Sequence, residues 1–425
     1  MRRALTASLI SLLLLPGLAA AAPPALVTNG NDAGPGSLRD ALASGASQIV
    51  IKGNVGTITA LSPLEYAGTR PLRLKGGDAT IDGSGFADNT LPIVVVSNGA
   101  SVRISNLTID AGGMQNGEPY SRLNQGGGKG LFIDVPEDRT GVVRVELRQV
   151  RVTGTGNHGI HISDCSLGDD CGGGSGGGGN GSPASIHLTI KGVQVDNSGN
   201  GKQDADGIRV DDRGDGDIVF IASNSVFSKV GADGVELDEG NNGSVHADVR
   251  NTMFYSNGEY CAIGPDPDED DPCFDEIDDG EVIRDVDDGF DIDEAGEGSL
   301  TGRIVNVDVL HNFDEGLDFD EEDSGSTDLA FIGIYSAGNE DEGIKVSEED
   351  DGDNIARMVS VSTDGDLEFE EDGFGIADIS IFGSTVDERM QIEADDGDDT
   401  TIDGFYKERG SSVAELDFEG NIRIL

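Results

Sequence analysis

The phrase DGIRVDD, beginning at Asp206, returns as DGVELDE from Asp233, DGFDIDE from Asp288, EGLDFDE from Glu315 and EGIKVSE from Glu342. From Gly207 to Gly234 is 27 residues, from Gly234 to Gly289 is 55, and the steps to Gly316 and Gly343 are 27 each, so the long step is two periods with a small excess. A fixed period in the twenties, with one strand-like phrase per period, marks a solenoid. After each glycine the residues alternate apolar, polar, apolar, and in a strand that alternation sends the apolar side chains to one face. Stacked copies predict a parallel sheet. The expected fold class is all-β, a single-stranded right-handed parallel β-helix.

Upstream the phrase begins as GLFID at Gly130 and GIHIS at Gly159. The next step, to Gly207, is 48 residues, about one coil plus the glycine-rich insertion at 165–183. That tract reads as a flexible loop, because no lysine-serine ending or opening helix follows it to make a phosphate cradle. A second excursion, 259–285, carries Asp266, Asp268 and Asp270 at alternate positions, but Pro265, Pro267 and Pro272 depart from an EF-hand loop. It reads as a local acidic loop.

Each coil holds a second strand, as in GDIVFIASNSVF and GSVHADVRNTMF, and Asn224, Asn251 and Asn306 near its end suggest an inward asparagine ladder. Past Glu342 the coils shorten. With Leu367, Met390 and Leu416 as first inward residues, the steps are 23, 23 and 26. The terminal strand GNIRIL is expected to leave a coil end that either pairs with another chain or is covered by a preceding loop.

Residues 1–22 read as a secretory signal peptide: basic residues after Met1, an apolar run from Leu9 to Leu15, then small residues to Ala22. The mature chain, 23–425, is expected to be one β-helix domain, secreted or periplasmic, and no later stretch is apolar enough to cross a bilayer. Four cysteines form two local pairs, Cys165 with Cys171 and Cys261 with Cys273, which in an oxidising compartment are expected to staple the two excursions. The rival is a zinc site of His158, His161, Cys165 and Cys171. A net charge of −53 argues against a nucleic-acid partner. Calcium, basic partners, or an acidic surface suited to salt remain.

The segments GPGSLRDAL at 34–42, QIVI at 48–51, GTITALSPLEY at 56–66 and RPLRLKGGDATIDGSG at 70–85 resemble the opening of secreted bacterial right-handed parallel β-helix proteins, including adhesin-like ones. The following coils are similar to the pectate-lyase-like superfamily. Ser37, with Asp40 three residues on, predicts a short helix that caps the first coil. The resemblance implies architecture more than activity, since lyases, hydrolases, epimerases, tailspikes and adhesins share it.

Equivalent residues of stacked coils lie about 4.8 Å apart, so each repeat position becomes a column. Three acidic columns are expected side by side on the surface as metal ligands. The first is Asp206, Asp233, Asp288 and Glu315, continuing to Glu342; the second is Asp211, Asp238, Asp293 and Asp320; the third is Asp212, Glu239, Glu294 and Glu321, continuing to Glu348. Neighbouring carboxylates at that spacing repel by about 0.9 kcal/mol in water and about 3.5 kcal/mol at an effective dielectric of 20. Calcium is the economical compensator, because it accepts six to eight oxygens in flexible geometry. A solvated acidic face in high salt is the alternative.

A further column, His161, Arg209, Glu236, Asp291, Asp318, Lys345, Glu368, Gln391 and Asp417, mixes bases with acids. In pectate-lyase-like enzymes a basic side chain removes the C5 proton of a calcium-bound uronate, a role the resemblance would give to Arg209 or Lys345. Glycoside hydrolysis would instead pair Asp291 with Asp318. The polygalacturonase motif order is not kept, since NHG at Asn157 precedes DDG at Asp287 and GIKV at Gly343 is a partial echo. As plain ion-pair rungs, Arg209 would flank Glu236 and Lys345 would flank Asp318. The leading expectation is a calcium-stabilised β-helix that binds at a cell surface, in a matrix or to a glycan. A calcium-dependent lyase or epimerase on uronate polymers and an acidic structural rod are the alternatives.

Overall fold

The computed structural model describes residues 23–113, 127–165, 181–199, 205–258, 274–278, 281–284, 286–395, 401–403, 406–407, 410–419 and 422–423. The expected signal segment lies outside them. Glycine-led phrases become strands at Leu131–Asp134, Ile160–Ser163, Ile208–Asp212, Val235–Asn241, Phe290–Gly296, Leu317–Asp323 and Ile344–Asp350, and the column continues in Leu367–Gly373. Each pairs in parallel with its counterpart one coil on, without a register shift between Ile160 and Asp323. Inward residues such as Val210, Leu237, Ile292, Phe319 and Val346 are 0% exposed. The chain is a right-handed parallel β-helix, the hand that parallel crossovers take almost without exception.

From Ile160 to Thr363 each coil carries three strands, not the two expected. GDIVFIASNSVF divides into Ile218–Ser223 and Val226–Ser228, with Asn224 between them at φ 52°. Asn251 and Asn306 repeat the bend at φ 50° and 52°. Asparagine tolerates this left-handed conformation, so the bend needs no glycine to announce it. The three asparagines are therefore exposed turn residues, which corrects their assignment to an inward ladder. The inward ladder is buried Asn257 and Asn312 with half-buried Asn339: the Asn257 amide donates to Asn312 Oδ1 at 3.0 Å, and Asn312 donates to Asn339 Oδ1 at 2.9 Å.

Aromatic stacking accompanies it, with Phe227 on Phe254 at 5.3 Å and Phe254 on Phe290 at 5.4 Å between ring centroids. Helix Leu38–Ala43 forms with Ser37 as N-cap and lies against the first strands through buried Leu38 and Leu42. The shortened coils register as expected, Leu367 beside Met390 and Met390 beside Leu416. Excursion 259–285 contains an antiparallel hairpin, Phe274–Asp278 with Glu281–Arg284. Cys165 is buried and disulfide-bonded, while Cys171, Cys261 and Cys273 lie outside the described residues, so neither expected pairing is established. Among the described residues no helix is long and apolar enough to cross a membrane.

Candidate cation site and its basic end

Strand register builds the mixed column as His161, Arg209, Glu236, Asp291, Asp318, Lys345, Glu368, Gln391 and Asp417, each beside the next. It faces outward, yet much of it is buried: His161 is 2% exposed, Arg209 1% and Glu236 6%. Just before the glycines, Asp206, Asp233 and Asp288 are buried as well, and each joins the next coil: Asp233 N–H donates to Asp206 Oδ1 at 3.2 Å and Asp288 N–H to Asp233 Oδ1 at 2.7 Å. These carboxylates knit turn to turn.

The three acidic columns are not side by side on one surface. In Val235–Asn241 the side chains alternate, so Glu236 and Asp238 point out while Val235, Leu237 and Glu239 point in. Asp212, Glu239, Glu294 and Glu321 therefore stand inside the coil at 0% exposure, which corrects their placement on the surface. Glu348 and Glu371 continue this interior column at 0% and 1%.

On the outward face the acids gather into triples. Asp206, Asp233 and Glu236 form one, Glu236, Asp291 and Asp293 a second, and Asp288, Glu315 and Asp318 a third, each with ligand oxygens within 4.8 Å of one another. A fourth is Glu368, Glu370 and Glu393. Burial, with the charges of Glu315 and Asp233 added, raises the Asp288 carboxyl far above the ordinary range. Burial and the charge of Asp293 do the same to Asp291. Burial and Asp238 push Asp293 up to about 8. Such groups call for a proton or a cation, and three convergent carboxylates suit a hard cation such as calcium.

Asp211, Asp238 and Asp320 do not join the triples. The Arg209 guanidinium donates from Nε to Asp211 Oδ1 at 2.6 Å and from Nη2 to Asp238 Oδ2 at 2.9 Å, pairs with Glu236, and lies 3.6 Å from Asp206. Arg213 also pairs with Asp238, and Ser347 donates to Asp320. Lys345 donates to Asp318 at 3.2 Å and keeps 25% of its side chain exposed. Both bases expected to act on substrate are ion-pair rungs. Arg209 is the central cation of a buried cluster.

A polar chain absent from the expectations starts at Lys129. Its ammonium donates to His161 Nδ1, and His161 Nε2 donates to Asp211 Oδ2 at 2.5 Å. Burial lowers Lys129 to about 8, and burial with the Lys129 charge lowers His161 to about 3, so the imidazole is neutral. Burial works to raise Asp211, but Arg209 and His161 overcome it and hold the carboxyl well below the ordinary range. His158 Nδ1 accepts Asp206 N–H at 3.0 Å. Both His161 nitrogens are engaged, and Cys171 of the rival zinc set lies outside the described residues, so that set is not established. Lys129 precedes Gly130 as Asp206 precedes Gly207, so the repeat carried two coils upstream was the signal for it.

No protein-family profile matches the chain, and no curated protein matches it. Solved structures similar to it include a periplasmic alginate epimerase, 8% identical with TM-score 0.38, covering 89% of this chain and 75% of the other. The Dettilon tailspike protein is 10% identical with TM-score 0.40, covering 89% and 64%, so this chain spans a little under two thirds of it. The endo-xylogalacturonan hydrolase of Aspergillus tubingensis is 10% identical with TM-score 0.36, covering 93% and 95%. Similarity of this degree concerns architecture alone.

Proposed function

We propose that this parallel β-helix is an exported protein that binds calcium along the outward face of its glycine-led strands and, through that calcium, an acidic glycan of a cell surface or matrix. The observation that carries the reading is the succession of carboxylate triples from Asp206 to Asp318, one of them sharing Glu236 with the next. Arg209 and Lys345 answer only part of that charge. Calcium held by one triple has coordination places to spare, since three carboxylates supply fewer than the roughly six to eight oxygens it takes. Those places suit the carboxylates of a uronate polymer, which a chain of net charge −53 would otherwise repel. The test is retention on an immobilised uronate polysaccharide with calcium and with a chelator. Retention lost in chelator and in an Asp291→Asn, Asp318→Asn variant is expected, and retention indifferent to both overturns the reading.

Lys129, His161 and Asp211 favour a second reading, calcium-dependent lyase or epimerase action on such a polymer. An amine brought to about 8 beside a neutral imidazole is suited to moving a proton near neutral pH. The Lys129→Ala variant should then abolish formation of unsaturated or inverted uronate while binding persists. A polymer left chemically unchanged by the native protein excludes this reading.

A further inference from the structure

Inside the coil, on the opposite side of the strands from the triples, runs a column of acids with a rule of its own. Asp212, Glu239, Glu294, Glu321, Glu348 and Glu371 each stand four residues before a glycine: Gly216, Gly243, Gly298, Gly325, Gly352 and Gly375. Register stacks Asp212 beside Glu239, Glu239 beside Glu294, Glu294 beside Glu321 and Glu321 beside Glu348. The polar run is bounded. Above it Asp164 has both oxygens filled by backbone N–H donors, from Arg213 at 2.7 Å and Ser182 at 2.5 Å, and below it Ala394 pairs with Glu371.

Each side chain folds under its own turn. A Cβ on Gly298 would stand 2.1 Å from Glu294 Oε1, one on Gly325 2.0 Å from Glu321 Oε1, and one on Gly352 2.1 Å from Glu348 Oε1. The same absent atoms would meet a backbone carbonyl of the previous coil: Gly243 O at 1.7 Å, Gly298 O at 2.1 Å and Gly325 O at 1.9 Å. Glycine is therefore required at these places to let a carboxylate oxygen and a turn carbonyl lie side by side. Two columns of oxygens result, one carboxylate and one carbonyl.

Few donors reach them. Gly243 N–H donates to Glu239 Oε1 at 3.1 Å and Asn354 N–H to Glu371 Oε2 at 2.9 Å. Apart from one another's carboxyls, both oxygens of Glu294, Glu321 and Glu348, one of Glu239, one of Glu371 and Asp212 Oδ2 are buried with no hydrogen-bond donor. A buried polar atom without a partner carries its full desolvation penalty, and a run of such carboxylates repels itself besides.

We infer that this interior column is a second, separate cation site, holding a file of calcium ions between the glutamate rungs and the turn-glycine carbonyls. Oxygen is the only donor type in the two columns, which suits a hard cation. Adjacent rungs with the intervening carbonyl offer about five oxygens, close to the roughly six to eight that calcium takes, whereas magnesium retains several waters and demands octahedral geometry. Charge balance sets the loading. One divalent ion per two carboxylates is neutral, so the six rungs hold roughly three ions, in alternate gaps, where they repel one another least. These ions enter as the coils close and leave only when they open. The outward triples, though partly buried, lie on the solvent side of the strands and release theirs without the coil opening.

The test is the calcium content of the full chain by elemental mass spectrometry after desalting into calcium-free buffer. Roughly three ions per chain should remain in the native protein. A Glu294→Gln, Glu321→Gln, Glu348→Gln variant, shown folded by circular dichroism, should lose most of them, while Asp291→Asn, Asp318→Asn keeps them. Equal metal content in the native and glutamine variants, or a metal-free native protein, overturns the inference and leaves protons as the stabiliser of the column. Should the glutamine variant not fold, exchange of radiolabelled calcium in the native protein decides. A fraction exchanging only as fast as the protein unfolds is expected, and complete exchange on mixing overturns it. Outward binding fails independently, by loss of glycan retention with the retained calcium unchanged.

Discussion

Replacing Arg209 by leucine separates structural from chemical roles on the outward face. The guanidinium is 1% exposed and pairs with Asp211, Glu236 and Asp238. Removing one partner of a buried ion pair costs about 3–5 kcal/mol, because the charge left behind is neither solvated nor neutralised. Here several carboxylates lose their shared partner at once, so Arg209→Leu is expected at or above the top of that range when calcium is absent. Lys345→Met is the control. Its side chain is 25% exposed and it hydrogen-bonds Asp318 with Glu315 at 4.0 Å, so partial solvent screening makes its loss smaller than that of Arg209→Leu. The assay is denaturant unfolding of the native protein and both variants in chelator and again in excess calcium. Calcium should recover part of the Arg209→Leu loss by occupying the vacated carboxylates, and adding Glu236→Gln should recover part without calcium. Equal losses for the two variants, or an Arg209→Leu loss below about 1 kcal/mol, would refute the argument that burial and not charge sign sets the cost. The same reasoning makes lost turnover in an Arg209 variant uninformative about catalysis. Lys129 is the better probe.

Gly325→Ala should destabilise by several kcal/mol, since its Cβ would stand 2.0 Å from Glu321 Oε1 and 2.1 Å from Gly298 O, whereas Gly53→Ala, with its nearest contact at 3.9 Å, should be tolerated; thermal unfolding of both compares them. Asn312→Ala removes the middle rung of the inward amide ladder and should cost about 1–3 kcal/mol, measured by denaturant midpoint, because Asn257 and Asn339 lose their shared partner. In chelator, stability should fall as pH rises. Burial with neighbouring acids lifts Glu239, Glu294 and Glu348 to about 8 and Glu321 and Glu371 to about 9, so the folded state binds more protons than the unfolded one from the ordinary carboxyl range up to those values. Calcium should reverse that slope by competing for the same oxygens, and a denaturation series across the range with and without chelator reads both signs.

The helix, its register and the mixed column were legible because one short phrase repeats and strand alternation has a period of two. Nine residues from His161 to Asp417 stand side by side as the repeat required. Two features were hidden for identifiable reasons. Asn224, Asn251 and Asn306 turn the chain by adopting a left-handed conformation inside what reads as one continuous strand, so the third strand of each coil left no glycine or proline mark. Asp212, Glu239, Glu294 and Glu321 follow an aspartate and read as part of one acidic run, although carrying the alternation one residue further turns them inward; the glycine four residues later was the corroborating signal. The burial of Arg209 and the convergence of Asp288, Glu315 and Asp318 depend on how side chains fill the face, which one-dimensional spacing does not encode.

The most direct measurement is thermal unfolding of the protein in chelator and in calcium, each at low and at high sodium chloride. Calcium sites on the acidic face and within the column predict a large upward shift of the midpoint with calcium at both salt concentrations. Stabilisation by sodium chloride alone, with nothing added by calcium, would contradict the account and reduce the acidic columns to screened charge.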